Sequence, residues 1–198
     1  PVGLLNPSFK NLNAPAVVGG NTEVSQRLTD TLIKALGLAA CSQGTMNNFL
    51  FGNAHFGYYE TICGGTGAGP GFAGASGVHQ HMTNTRITDP ELLELRYPVR
   101  LESFGLRKNS GGKGKWQGGD GVVRCFHFLA PLDINILSQH RKEKPFGCNG
   151  GLPGKTGNQY VMRANGSKKI LNGMDSVQVN ECDRLVIETP GGGGWGKA

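Results

Sequence analysis

A chain of 198 residues is long enough for one sizeable domain with its own core, or one domain plus an extension. Its 33 glycines are far above ordinary usage, but they follow no G-X-Y period, which excludes collagen; they cluster between apolar runs, as the turns of a β-rich fold do. The formal charge of +6 comes without an RNA-binding aromatic signature or zinc-finger spacing, and no apolar run reaches membrane-spanning length, so neither nucleic acid nor a membrane is an expected partner.

Residues 1–20 hold three prolines and several Asn and Gly, and read as an irregular N-terminal arm. The next stretch, NTEVSQRLTDTLIKALG, predicts the longer helix. Val24, Leu28, Leu32 and Leu36 recur every four residues with Ile33 beside them, which predicts an apolar face packed on a core. Asn21 is placed to cap its start and Gly37 to sit at C′. Residues 38–75 read as loop and short strand, with FGYYETI a strand candidate. Thr88 and Glu91 then have capping-box spacing, Pro90 suits a first turn and Pro98 bars continuation, so a short second helix is expected.

From Val99 onward the hydrophobic period is near two. VRLESFGLR, GVVRCFHFL, INILSQH, QYVMRA, KKIL, VQV and RLVIET are strand candidates, separated by glycine-rich turns, with Asn165-Gly166 a hairpin signal. The final TPGGGGWGKA is either a flexible tail or a glycine loop packed on something upstream. The expected fold is α+β and mostly β: an antiparallel sandwich or barrel in the C-terminal half, preceded by one longer and one short helix, with residues 21–198 as the domain.

Cys41, Cys63, Cys125, Cys148 and Cys182 are odd in number, widely spaced and without C-x-x-C, which fits buried thiols of a reduced intracellular protein better than a disulfide scaffold. The chain opens on PVGLLNPSF without an initiator Met, and reads as a fragment of something longer or as a processed chain.

Several motifs bear on chemistry. GGTGAGPG places Gly65, Gly67 and Gly69 at alternate positions, but a dinucleotide site needs G-x-G-x-x-G opening a helix, and none follows. GKT at 154–156 resembles the end of a phosphate loop but leads into a strand candidate, so a turn is the better reading. His79 and His81, two apart in an extended segment, would point to one side and could hold one Zn²⁺ or Mn²⁺; ordering the loop and walling a substrate pocket are the alternatives. Arg86 could clamp a carboxylate, or pair with Asp89 in a network with Asn84. Cys63, beside the glycine loop, reads as a small buried thiol.

GYYETICGGTGAGP, SGVHQHMTNTRITDPELLELRYP and GGKGKWQGGDG, followed in order by GGLPGKTG and TPGGGGWG, resemble the C-terminal region of the hydantoinase B/5-oxoprolinase family. The HMTNTRITDPE block is most similar to the ATP-dependent 5-oxoprolinases. The resemblance implies coupling of ATP cleavage to opening of a small cyclic amide, 5-oxo-L-proline to L-glutamate, with hydantoin or N-methylhydantoin hydrolysis as the alternative. It implies that ATP and Mg²⁺ are bound by a hydantoinase A-type domain or subunit, and that the present part completes hydrolysis. An oligomeric, cytoplasmic enzyme is expected. The family's upstream segment, with its Asn-Asp-Pro and Gly-Gly-Thr-His-type metal motif, has no counterpart here, so the chain resembles a C-terminal fragment, inactive alone, and no metal ligand is assigned to it. On this reading His79 and His81 are the base candidates, Glu60, Asn84 and Arg86 wall the substrate, and amides around Gly65 and Gly67 serve as oxyanion donors. The rival expectation is a non-catalytic module that docks a hydantoinase A-type partner.

Overall fold

The computed structural model describes residues 17–198. Helix α1 (Val17–Ala35) starts inside the stretch read as an arm, ahead of the expected Asn21 cap; the rest of that arm, residues 1–16, lies outside the described residues. The helix ends as its glycine predicts. Gly37 takes φ +64°, its N–H donates to Lys34 O at 3.0 Å, and Leu38 N–H donates to Ile33 O at 3.1 Å, the two bonds of a Schellman motif.

Nine strands follow: β1 (Asn48–Gly52), β2 (Gly57–Thr61), β3 (Val99–Arg107), β4 (Gly121–Phe128), β5 (Leu132–Leu137), β6 (Asn158–Met162), β7 (Lys168–Ile170), β8 (Met174–Val179) and β9 (Arg184–Glu188), with helix α2 (Pro90–Arg96) between β2 and β3. They form two antiparallel sheets, one ordered β2-β1-β5-β8 and the other β3-β4-β9-β6-β7. Among the described residues the fold is thus mostly β with two helices, a sandwich and not a closed barrel. Alternate residues of the central strands point inward, so Phe49, Phe51, Ile134 and Val179 meet Phe126, Phe128, Leu185 and Val161 in one core. The rings of Phe49 and Phe126 lie 4.8 Å apart between centroids.

Helix α2 is capped one residue later than the capping-box spacing predicts. Asp89 accepts from the amides of Glu91 at 2.9 Å and Leu92 at 3.2 Å, while the Thr88 hydroxyl is taken by Tyr58 Oη at 3.0 Å. The Asp89 carboxylate next to Pro90 takes the two amides, while the Thr88 hydroxyl is turned to Tyr58 instead.

The apolar face of α1 is where expectation and structure part. Leu28, Leu32 and Leu36 are 42, 55 and 70 % exposed, whereas Glu23, Gln26 and Asp30 are buried. Periodicity identifies which residues share a helix face; it does not say which face turns inward. Here the polar face does.

The glycines explain the remaining architecture. In residues 191–194, Gly191 N–H donates to Lys155 O (3.2 Å), Gly192 to Gly119 O (2.8 Å), Gly193 to Cys41 O (2.7 Å) and Gly194 to Leu152 O (2.9 Å). Successive amides address different neighbours, and the fourth returns to the segment of the first. Residues 65–68 do the same: Gly65 and Ala68 donate to Pro190 O and Gly193 O, three residues apart, while Thr66 turns to Ala75 O. A period of three without internal hydrogen bonds is that of extended polyproline-II-type chains, here bundled side by side. Such chains approach too closely for side chains. A Cβ on Gly65, Gly67, Gly118, Gly192 or Gly193 would fall well under 3.0 Å from a backbone atom of a neighbouring segment. The C-terminal glycines are therefore the packed loop of the two readings and not a tail: residues 191–195 are buried, and Trp195 exchanges amide bonds with Trp116 at 2.8 and 3.0 Å.

Gly192→Ala is expected to destabilise the domain by about 3 kcal/mol or more, because its Cβ would land on Thr66 O and Thr66 is itself bonded into the bundle. Gly105→Ala, where nothing lies within 4 Å, is expected to stay within about 1 kcal/mol of the parent. Thermal or denaturant unfolding of the two variants measures the contrast.

Candidate functional site

The inward polar face of α1 settles on the loop of residues 40–48 and the segment of residues 138–143. Glu23 Oε1 accepts from Thr45 Oγ1 (3.1 Å), Met46 N (3.0 Å) and Asn48 Nδ2 (2.8 Å). Burial nevertheless pushes its carboxyl up to about 7, with these hydrogen bonds pulling the other way. Two turns along, Asp30 Oδ1 accepts from Ser42 N at 3.2 Å and meets His81 Nε2 at 3.1 Å. Between them Arg27 Nη1 donates to His140 Nε2, whose Nδ1–H donates to Glu143 O at 2.7 Å. That second bond fixes the tautomer, leaving Nε2 as an acceptor. Burial, and then the neighbouring Arg27, lower His140 to about 4, so the ring is neutral. Arg141 donates to Gln159 Oε1 (2.5 Å), Gln139 O (2.7 Å) and Asn47 Oδ1 (2.9 Å), and burial lowers it to about 9. Cys41 Sγ lies 3.8 Å from His140 Nε2, but burial drives the thiol far up and keeps it protonated, so the pair is not an activated nucleophile.

This web is incompletely satisfied by the protein. Glu23 Oε2, Gln26 Oε1, Asp30 Oδ2, Gln43 Nε2 and Gln80 Oε1 are buried with no protein partner. A cluster of that kind marks a place where solvent or a bound molecule completes the hydrogen bonding.

The predicted site residues divide. His81 joins the web; His79 does not. His81 sits at φ +56°, a left-handed turn that breaks the extended chain needed for a shared His-x-His face. Its ring goes to Asp30, while His79 Nε2 lies 3.4 Å from Thr85 Oγ1, with burial lowering the His79 pKa. Among the described residues no three His, Cys, Asp or Glu side chains gather as a metal group. Glu60 belongs to the core: Arg124 Nη1 donates to its Oε1 and Tyr58 Oη to its Oε2 at 2.8 Å, so both oxygens are engaged. Asn84 and Arg86 are exposed on the loop before α2, and Asp89 serves as the helix cap and not as a partner of Arg86. The amides of residues 64–69 are all donated within the protein, Gly65 to Pro190 O and Gly67 to Ser42 Oγ among them, which leaves none to meet an oxyanion. Gly65 and Gly67 act through their missing side chains. The same engagement, and the strand that follows GKT, mean that neither glycine-rich segment fits a nucleotide phosphate.

Glu23, Arg27, Asp30, His140 and Arg141 escaped the sequence reading. The available signal was the spacing 23, 26, 27, 30, a polar stripe as regular as the leucine stripe. The web makes a pH prediction with two opposed parts. Glu23, raised from 4.5 to about 7, contributes stability that is full below pH 4.5 and lost as pH rises to about 7, on the order of 3 kcal/mol. His140, lowered from 6.5 to about 4, acts oppositely: its contribution is present above pH 6.5 and lost as pH falls to about 4. The two largely cancel in the parent protein. In Glu23→Gln only the histidine part remains, so stability is expected to climb from pH 4.5 to pH 7 more steeply than in the parent, as urea unfolding across that range measures.

The hydantoinase B/oxoprolinase family profile matches residues 3–198. The chain is 52% identical over 197 residues to 5-oxoprolinase 1 of Arabidopsis thaliana and 49% identical over 197 residues to 5-oxoprolinase of Dictyostelium discoideum. These alignments cover 99% and 100% of this chain, which spans only 15% of the length of either relative. Among solved structures, the ATP-dependent caprolactamase of Pseudomonas jessenii superposes with a TM-score of 0.68 at 19% identity, over 84% of this chain and 32% of that one. Nucleotide-free acetone carboxylase gives 0.66 at 16%, over 85% and 28%. At such identities the structural likeness establishes a shared fold. The sequence likeness establishes more: this chain belongs to the hydantoinase B/oxoprolinase family.

Proposed function

We propose that this chain is the C-terminal segment of the hydrolytic half of an ATP-dependent cyclic-amide hydrolase whose substrate is 5-oxo-L-proline and whose product is L-glutamate. The observation that carries this is the half-identity to two proteins named 5-oxoprolinase along nearly the whole chain. ATP, held with Mg²⁺ by a hydantoinase A-type part, supplies the activation of the amide. The present residues serve the steps after it, in which water adds to the carbonyl carbon of the phosphorylated amide, the ring C–N bond breaks as the freed nitrogen takes a proton, and a second water releases phosphate from the resulting acyl phosphate to leave the carboxylate.

His81 is the base. Its Nε2 is held by Asp30 Oδ1 at 3.1 Å, and Asp30 is itself fixed by the Ser42 amide, which leaves Nδ1 to take the proton of the attacking water. This is the logic of an oriented imidazole whose positive charge a carboxylate stabilises. His79, with only a threonine hydroxyl 3.4 Å away, lacks that support and serves the packing of the loop. In the full-length protein, His81→Ala is expected to lower ATP-dependent glutamate release by about 100-fold or more, and His79→Ala by far less. Unchanged turnover in His81→Ala removes the base assignment.

The exposed leucines of α1 favour a second reading, a docking module for the hydantoinase A-type part. Leu28, Leu32 and Leu36 form an apolar stripe that nothing in the described residues covers. On that reading Leu32→Glu abolishes co-purification of the two parts, while His81→Ala leaves turnover intact. The pair of variants therefore separates the readings.

A further inference from the structure

A cavity of about 660 Å³ opens beside the web, between residues 138–143, the start of β6 and the connection from β7 to β8. Its volume lies within the range of small-molecule sites. Three cations line it, Arg27, Arg141 and Lys142, against one carboxylate, Glu143. None of the three cations is ion-paired among the described residues. Arg141 donates only to neutral amide oxygens of Gln159, Gln139 and Asn47, so it is fixed in place without a direct ion pair; the acid whose field reaches it is the buried Glu23, whose carboxyl burial pushes up to about 7. Arg27 donates to the neutral ring of His140, which aims the guanidinium while consuming none of its charge. Cations without a direct ion pair, gathered around a cavity, repel one another, and an anion between them relieves that cost. Ile170 and Met174, each 69% exposed, add apolar surface to the lining.

We propose that this cavity binds the oxyanion group of a small organic molecule, a carboxylate or a phosphate, with Arg27 and Lys142 as its direct donors and Arg141 as a fixed charge behind them. His140 is a positioning residue that holds Arg27. The apolar surface of Ile170 and Met174 takes the short carbon body of the ligand. The inference stands apart from the choice of substrate; where it meets the reading of this chain as part of a 5-oxoprolinase, the anion is the ring carboxylate.

The test is calorimetric titration of the full-length protein with three probes: 5-oxo-L-proline, 2-pyrrolidinone, which is the same ring without the carboxylate, and inorganic phosphate. The parent is expected to bind at least one of the two anions and to bind 2-pyrrolidinone at least tenfold more weakly. Arg27→Gln combined with Lys142→Gln is expected to weaken the bound anion by tenfold or more. Lys142→Glu alone, on an exposed side chain that carries no structural bond, is expected to weaken it in the same direction with unchanged thermal stability. Saturable 5-oxo-L-proline binding lost in these variants identifies a carboxylate site. Phosphate binding lost in them, with no 5-oxo-L-proline binding, keeps the oxyanion site and removes 5-oxo-L-proline as its occupant. Anion binding that all variants retain, or no anion binding in the parent, overturns the proposal. Failure of ATP-dependent glutamate release while variant-sensitive anion binding persists counts against the enzymatic reading alone.

Discussion

The contact of backbone against backbone in the glycine bundle sets the terms for the rest of the molecule. Extended chains spaced by amide hydrogen bonds leave no volume for a Cβ, so Gly65, Gly67, Gly118, Gly119 and residues 191–194 are there because any other residue would collide with a carbonyl or amide of the next segment. The bundle ties together parts of the chain that are remote in sequence. Ala40 N–H donates to Ala68 O at 2.8 Å, Cys41 to Phe146 O at 2.9 Å and Gln43 to Gly65 O at 2.9 Å. These bonds hold the beginning of the loop of residues 40–48, whose later residues receive Glu23 and whose Ser42 amide receives Asp30. The floor of the candidate site is thus anchored by backbone hydrogen bonds, and its side chains rise from a fixed base.

On that floor the structure accepts a costly arrangement. Burying Glu23, Asp30, His140 and Arg141 together removes charged and polar groups from water, and the protein compensates by neutralising some of them: Glu23 titrates near neutrality and His140 is a neutral acceptor. Gly44 makes the close approach possible. It takes φ +60°, and a Cβ there would collide with the His140 ring and come within 3.2 Å of Asp30 Oδ2. A stretch that only had to fold would fill this space with aliphatic side chains. Its polarity is the physical mark that distinguishes it from the Phe49–Phe126 core a short distance away.

The β-architecture was legible because half-buried strands write their geometry into the sequence with a period of two. β4 reads alternately buried and half-buried from Val122 to Phe128, and the hairpin that joins β6 to β7 has Gly166 at φ +82°. α2 was legible to within one residue of its cap. The glycine bundle was not, since its period of three is carried by hydrogen bonds to different partners and leaves no side-chain pattern to read. The site failed for a related reason. His81 was found through its motif, but the residue that gives it a role, Asp30, is distant in sequence and lies on a helix whose leucines drew attention to the opposite face. The extended-chain reading of His79 and His81 assumed ordinary backbone angles, and the positive φ of His81 voids that assumption.

The inverted helix joins these two failures into one feature. α1 gains nothing from its leucines while they face solvent; covering Leu28, Leu32 and Leu36 would contribute about 1.5 kcal/mol or more for each side chain fully removed from water. The same helix carries Glu23, Arg27 and Asp30 on its other side, one rigid rod with chemistry on one face and unpaid apolar surface on the other. A contact that covers the leucines therefore also fixes the position of Asp30 against His81 and of Arg27 against His140. Cover over the outer face and geometry on the inner face are coupled through one rigid helix, α1.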